Sequence, residues 1–299
     1  MKVTLFIFTY NQEKFITDCI DSALLQNYNF LEIFIWDNNS TDNTSSLIKK
    51  KIDNYTGNHK VIYHKSNINY FPGFYATNKL MEITDSDLIV LLAGDDYCVP
   101  NRVSTIVEKR IETRASVFSS SVYQIDINNK ILSLINRLDT SHNFKQHSNI
   151  DDFLKIGGSA VCHGAGLAWH REIWDSFGPL NDGPLNIDIV LPFRGSAIGG
   201  NYYIEEPLVY WRLHEKNVDF QIRIDNAKSN LEKKILREKQ LSNRLVNFLT
   251  IKKDMNLFFK NKKKTLYYFN LENLLNKRIF SIGRRWVDSK NDLLNNNII

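Results

Sequence analysis

"VTLFIFTYNQEKFITDCIDSALL" (Val3–Leu25) changes its hydrophobic period part-way along. Val3 to Thr9 is a continuous apolar run, the pattern of a strand buried on both faces. Beyond Asn11 the apolar positions Phe15, Ile16, Cys19, Ile20, Ala23 and Leu24 recur at helical spacing. A short polar turn joins the two. The unit then repeats. Leu31 to Trp36 predicts a second strand, and "DNNSTDNTSSLIKKKI" behind it a helix that Ser40 or Thr41 can cap. Val61 to His64 predicts a third strand, with a helix around Tyr75 to Ile83, and Leu88 to Ala93 a fourth. Strands alternating with helices at this spacing imply an α/β fold with a mostly parallel sheet covered on both faces.

Open sheets of this kind bind ligands beyond the carboxyl ends of their strands. Three polar clusters fall there: Thr9-Tyr10-Asn11, Asp37 to Ser40, and Gly94-Asp95-Asp96. They are expected to meet in space. The adjacent aspartates repel each other, which raises one pKa unless a cation or hydrogen bonds hold both ionised. A turn followed by a helix N-cap is the plain alternative for such a pair. The first turn lacks G-x-G-x-x-G and G-x-x-x-x-G-K-[ST], so neither a Rossmann dinucleotide site nor a P-loop is supported. Carboxylates with a diphosphate make a hard-oxygen site suited to Mg²⁺ or Mn²⁺.

The 299 residues, 43% of them hydrophobic, suffice for one large α/β domain or two smaller ones. Three cysteines, Cys19, Cys98 and Cys162, show no CxxC spacing, which argues against a disulfide framework and a zinc ribbon and fits a cytoplasmic protein. The apolar stretch Val3 to Phe8 is too short for a signal segment or a membrane span. The net charge of +5 is uneven: residues 215–299 hold 19 Lys+Arg against 9 Asp+Glu, so the rest of the chain is net negative. Such a tail suggests an anionic partner, a membrane surface or nucleic acid, against the alternative of a solvated helical face.

After residue 115 the pattern changes. "ASVFSSSVYQID" and "ILSLI" read as two antiparallel strands, "YYIEE" and "PLVYWRLHEKN" as two more, and the chain beyond Asp219 as a long amphipathic helix. Domains are therefore expected at 1–218 and 219–299.

The stretches "FIFTYNQEKFITDCIDSALLQ", "DNNSTDNT", "GFYATNKL", "LLAGDDY", "FGPLND", "DIVLPFRGSAIG" and "PLVYWRLHEKN" occur in the order found in glycosyltransferase family 2, which the chain resembles over about residues 3 to 217. The resemblance implies a GT-A fold and an inverting transfer from a nucleotide-sugar donor, UDP-linked, to a saccharide or lipid-linked saccharide acceptor in surface-polysaccharide assembly. It implies that Thr9, Tyr10, Asn11 and Glu13 pack around the base and that Asp37 accepts the N3–H of uracil. Asn69, Gly73 and Asn78 would lie along the donor, and Asp95 and Asp96 match the DxD-type motif, with Asp96 binding Mn²⁺ or Mg²⁺. Arg212 would face phosphate, and His214 would complete the metal site or touch the diphosphate. Asp188 would be the general base, with His163 and Trp169 toward the acceptor. Asn38 stands where the family usually has a second acid, and Ile187 where the base motif has a glutamate.

A nucleotidyltransferase would need a glycine- and lysine-bearing loop that "FTYNQEKF" lacks. A non-catalytic sugar-nucleotide binder would have no need to keep Asp95, Asp96 and Asp188 together. Nucleic acid is not expected as a partner. The aromatics Phe258, Phe259, Tyr267, Tyr268 and Phe269 around Lys260 and Lys262 to Lys264 suit peripheral docking at the inner face of the plasma membrane. Packing of a helical subdomain or a homo-oligomer interface is the other reading of the same residues.

Overall fold

The computed structural model describes residues 1–70, 74–136, 138, 146–156, 163–180, 186–215, 224–225, 227–260 and 266–295. Gly73, Cys162 and Lys262 to Lys264 lie outside the described residues, as does the expected domain boundary at 218/219.

The predicted strands form where the apolar runs placed them: β1 (Val3–Thr9), β2 (Leu31–Asp37), β3 (Lys60–Lys65) and β4 (Leu88–Ala93). They pair in parallel in the order β3-β2-β1-β4. The crossover helices between them are α1 (Ile16–Leu24), α2 (Thr44–Asp53) and α3 (Phe74–Ile83). Burial follows from the runs: Val3, Leu5, Ile7, Ile33, Ile35, Leu88, Val90 and Leu92 join one core with Ile16, Cys19 and Ile20 of α1. A second core on the other face gathers Phe6, Phe34, Trp36, Ile89 and Leu80 of α3.

Beyond the fourth strand the sheet becomes mixed. It continues β4-β9-β6-β10-β5, from β5 (Tyr97–Cys98), β6 (Val117–Ile125), β9 (Ala168–His170) and β10 (Asn201–Arg212). β7 (Ile131–Ile135) pairs antiparallel with β6, and β8 (His147–Ser148) with β10. The two strands expected from "YYIEE" and "PLVYWRLHEKN" are one strand, β10, whose register shifts on both sides of Pro207. Proline has no N–H for the ladder, and a bulge absorbs it without ending the strand. Helix α4 (Arg102–Thr113) follows β5.

The chain divides into two compact units, Met1–Leu180 with Ile187–Arg212, and Asn181–Asn186 with Leu213–Ile299. The second holds two thirty-residue helices, Asn230–Phe259 and Leu266–Asn295. Ser229 caps the first of these by accepting the Glu232 N–H at 3.1 Å, while the Glu232 carboxylate accepts the Lys228 N–H at 2.9 Å. Trp286 Nε1 donates to Glu238 and Lys252 Nζ to Asn276, which set the helices antiparallel. Among the described residues no helix is long and apolar enough to cross a membrane.

Candidate functional site

The sheet register brings the three polar clusters together. Thr9 pairs with Asp37 and Phe8 with Ala93, so the ends of β1, β2 and β4 open on one edge. Gly94 is required at this junction. A Cβ there would stand 2.4 Å from Gln12 Oε1 and 2.7 Å from Thr9 Cβ, closer than any side chain permits.

The first two loops are tied to each other. Asn11, at φ +51°, accepts the Thr41 N–H at 2.8 Å and donates its own N–H to Ser40 Oγ at 3.0 Å. Glu13 accepts both the N–H and the side-chain amide of Asn43, at 3.0 and 2.8 Å. Thr9 Oγ1 donates to Gln12 at 2.7 Å and is wholly buried, whereas the Tyr10 ring is 41% exposed. Ser40 and Thr41 therefore serve the first loop; the N-cap position falls to Asn43, whose side chain makes no capping bond, and the preceding Asp42 accepts the Thr44 N–H at 3.0 Å.

Asp37 is fully buried and accepts from Ser40 N–H, the Ser45 hydroxyl and the Tyr63 hydroxyl. Burial pushes the Tyr63 phenol up to about 12. Asn38 donates to Asn69 Oδ1 at 2.8 Å and to the Tyr70 carbonyl at 3.0 Å, and accepts the Tyr70 N–H at 3.0 Å. An ionised carboxylate could not make the two donations. Its substitution thus fixes the 69–70 loop, where Tyr70 stacks on Tyr75 at 3.8 Å. Asn78 spends both ends of its amide on Leu180, each at 2.9 Å, so it pins that loop.

The adjacent aspartates have different surroundings. Asp96 is 2% exposed, and its Oδ1 accepts the Arg212 N–H at 2.9 Å. Burial, and then the Asp95 charge, hold its carboxyl well above the usual carboxylate range. Asp95 is half-buried and is the more open of the two. Asp96, expected to meet a metal, is the more buried of the pair and bonds to Arg212, and Asp95 is the more open. Arg212, expected to face phosphate, is turned instead toward the protein. It is 1% exposed, and its guanidinium donates to the Asp95 carbonyl, Asn129 and Asp18 beneath the aspartates, with Phe15 4.8 Å from its centre. It clamps the loop from behind. Among the described residues no three His, Cys, Asp or Glu side chains converge as a cation cage. His214 follows β10 by two residues.

Residues 163–167 run beside β4, where Leu91 donates to the Leu167 carbonyl at 3.0 Å, and the antiparallel β4–β9 register carries His163 and Gly164 toward the carboxyl end of β4. His163 donates its N–H to Ser119 Oγ and sets its ring edge-on to Trp211 at 4.8 Å. Asp188 lies in the first turn of the helix Ile187–Ala197 and faces Gly164, its Oδ2 3.5 Å from where a Cβ would stand. Trp169, expected at the acceptor, is wholly buried between the neighbouring strands in the second core, and so presents no face to a sugar. Sequence reasoning names Gly94 only as part of its cluster and misses Arg102, although both flank the acid pair within a few residues.

Similarity to known proteins agrees with this arrangement. An uncharacterized glycosyltransferase of Nostoc is 25% identical over 83% of this chain and 75% of its own length. A UDP-Glc:alpha-D-GlcNAc-diphosphoundecaprenol beta-1,3-glucosyltransferase of Escherichia coli, WfaP, is 34% identical over 42% of this chain and 47% of its own. Among solved structures, Staphylococcus aureus TarS in complex with UDP-GlcNAc superposes with a TM-score of 0.56 at 12% identity, over 94% of this chain and 84% of that one. The mannosyltransferase PcManGT of Pyrobaculum calidifontis, in complex with GDP-Man and Mn²⁺, gives 0.55 at 16% identity, over 98% and 85%. These structures share the GT-A-like fold. The glycosyl transferase family 2 model matches residues 4–176, more than half of the sequence, and the chain belongs to that family.

Proposed function

We propose that the protein transfers a sugar with inversion from a UDP-linked donor to a hydroxyl of a saccharide acceptor, in the assembly of a surface polysaccharide. The observation that carries this reading is the placement of two carboxylates on separate elements. Asp95 is half-open at the joint edge of β1, β2 and β4, and Asp188 stands on a separate helix against Gly164. Inverting transfer needs this separation, because the acceptor hydroxyl, relieved of its proton by the base, attacks from the face opposite the departing diphosphate. Asp188 takes the proton of the acceptor hydroxyl as that oxygen bonds to the anomeric carbon, and the nucleoside diphosphate leaves.

The donor set fits a hard cation. A half-open carboxylate at the strand ends suits a hard cation such as Mg²⁺ or Mn²⁺. When bound, the cation supplies Lewis-acid neutralisation of the leaving group. Asp95 would hold it. His163, beside Gly164, would meet the acceptor. The exposed Tyr10 ring and the Tyr70–Tyr75 stack offer aromatic surface for the base. The UDP-Glc named for WfaP and the UDP-GlcNAc bound to TarS support a UDP-linked donor.

The test measures UDP release from UDP-glucose and UDP-GlcNAc with Mn²⁺, alongside UDP affinity by calorimetry. Asp95→Asn is expected to lose Mn²⁺-dependent UDP binding. Asp188→Asn is expected to keep it and to lose turnover by about 10² to 10⁴-fold. Normal turnover in Asp188→Asn would remove the base assignment.

A further inference from the structure

The first residue of α4 is an arginine, which is an expensive choice. Arg102 is wholly buried, and a cation at a helix N-terminus faces the positive end of the helix dipole. Burial pulls its pKa below the ordinary guanidinium value. Its Nε and Nη1 make no hydrogen bond of ordinary geometry among the described residues, and the guanidinium lies beside the Cys98 thiol and within reach of the Asp96 charge. What the side chain does make is specific. A single nitrogen, Nη2, donates to the Leu91 carbonyl at 2.7 Å and to the Ala165 carbonyl at 3.2 Å.

Those two carbonyls lie where β9 separates from β4. Up to Val90 the strands pair, and one further bond, from Leu91 N–H to the Leu167 carbonyl, closes the ladder. Beyond it residues 164–166 turn away as a single 3₁₀ turn. A buried carbonyl left behind at such a divergence needs a donor. Arg102 supplies one donor to both sides of the gap. One side is the strand that ends in Gly94, Asp95 and Asp96, and the other is the segment that carries His163 and abuts Asp188 through Gly164. On its far side that segment is held by Gly166, where a Cβ would come within 2.8 Å of the Ser120 nitrogen. The segment is therefore fixed from two directions, by close packing on β6 and by the guanidinium on β4.

We infer that Arg102 is a positioning residue that sets the spacing between the Asp95 carboxylate and the Asp188 base. The inference rests on the proposed roles of those two aspartates. A hydrophobic side chain could fill the same volume more cheaply but would leave both carbonyls unpaired and the spacing unset. Misplacement of about 1 Å at a reacting centre can cost about 10²-fold in rate. Loss of the bridge is therefore expected to appear in turnover ahead of donor binding, because the Asp95–Asp96 loop keeps its own bonds to Arg212 while residues 163–166 lose theirs to β4.

Arg102→Lys keeps the cation but shortens its reach, and Arg102→Met removes both donor and charge. Each is measured for UDP affinity with Mn²⁺ by calorimetry, for turnover of UDP-glucose and UDP-GlcNAc, and for amide exchange at Leu91 and Leu167. Expected are UDP affinities within about threefold of wild type, turnover lowered about tenfold in Arg102→Lys and about 100-fold in Arg102→Met, and faster exchange centred on those two amides. Should Arg102→Met fail to fold, Arg102→Lys alone decides. Unchanged turnover in Arg102→Lys, or parallel loss of affinity and turnover, overturns the inference. A wild-type protein that binds UDP but turns over neither donor refutes the proposed reaction instead. Even then, unaltered exchange at Leu91 and Leu167 in Arg102→Lys would dispose of the bridge.

Discussion

Gly94→Ala tests whether the three strand ends form one rigid edge. The added Cβ would stand 2.4 Å from Gln12 Oε1, 2.6 Å from Thr9 Oγ1 and 2.7 Å from Thr9 Cβ. Ordinary contacts between heavy atoms begin near 3.5 Å, so the shortfall is about 1 Å. The Gln12 amide can swing away at the cost of its 2.7 Å bond from Thr9. Thr9 cannot follow. It is wholly buried, and it is registered against Asp37, whose loop is itself tied to Asn11. The strain must pass into the β4 end, which shifts Asp95 against the first loop. Overpacking of this kind costs about 1–3 kcal/mol, enough to lower the midpoint of thermal unfolding by several degrees. A displacement approaching 1 Å should also lower UDP-sugar turnover by about 10²-fold. Thermal unfolding followed by circular dichroism, with turnover measured on the folded fraction, reads both quantities. Wild-type melting together with wild-type turnover would refute the rigid edge.

Glu172 sets an acid limit on stability. Burial alone would raise its pKa, but hydrogen bonds from Arg110 and Ser116 more than offset this and hold it below the ordinary carboxylate value; burial also lowers that of its neighbour His170. Both folded values are depressed, so the stability they contribute is present above the unfolded values and is lost as pH falls, first below about 6.5 for His170 and then below about 4 for Glu172. Glu172→Gln should cost about 1–3 kcal/mol at pH 7 and flatten the acid limb below pH 5, read by urea titration across pH; an unchanged limb would exclude this pair as its source. For the basic C-terminal region, anionic vesicles containing 30% phosphatidylglycerol should sediment the full chain at low salt and release it at high salt, while a chain ending near Asp219 should bind less and still bind UDP. Equal sedimentation of the two would favour the interface reading of the same aromatics.

How much of this was legible depended on the length scale of the signal. The four leading strands were readable because each is an uninterrupted apolar run between polar turns, and burial on both faces demands that pattern. Beyond residue 115 the signal weakened for a physical reason. β9 is three residues long and β5 two, too short for any period to register, and they are strands because longer neighbours pair with them. Pro207 suggested a break within β10, and only the partner strand β6 shows that the chain continues through it as a bulge.

The site was legible as a set of strand ends and illegible as a set of roles, because a motif fixes which polar residues meet and leaves burial undetermined. Asp95 and Asp96 are neighbours in sequence, yet opposite directions off one turn make one half-open and the other a buried acceptor for Arg212. Arg212 was expected to face phosphate because the resemblance places "YWRLH" at the donor site. Three acceptors in its own unit, the Asp95 carbonyl, Asn129 and Asp18, each take a bond from its guanidinium. Trp169 was expected to offer its ring to a sugar because the resemblance puts it toward the acceptor, and the strand pairing of β9 with both β4 and β6 closes over it. In each case the deciding contact is with a residue distant in sequence. The same holds for Arg102 and Ala165, and the bridge between them is what makes the two halves of the edge answer to one another. A cation placed beside acids in sequence is thus as apt to hold the acids' scaffold as to hold the ligand, and burial tells the two apart.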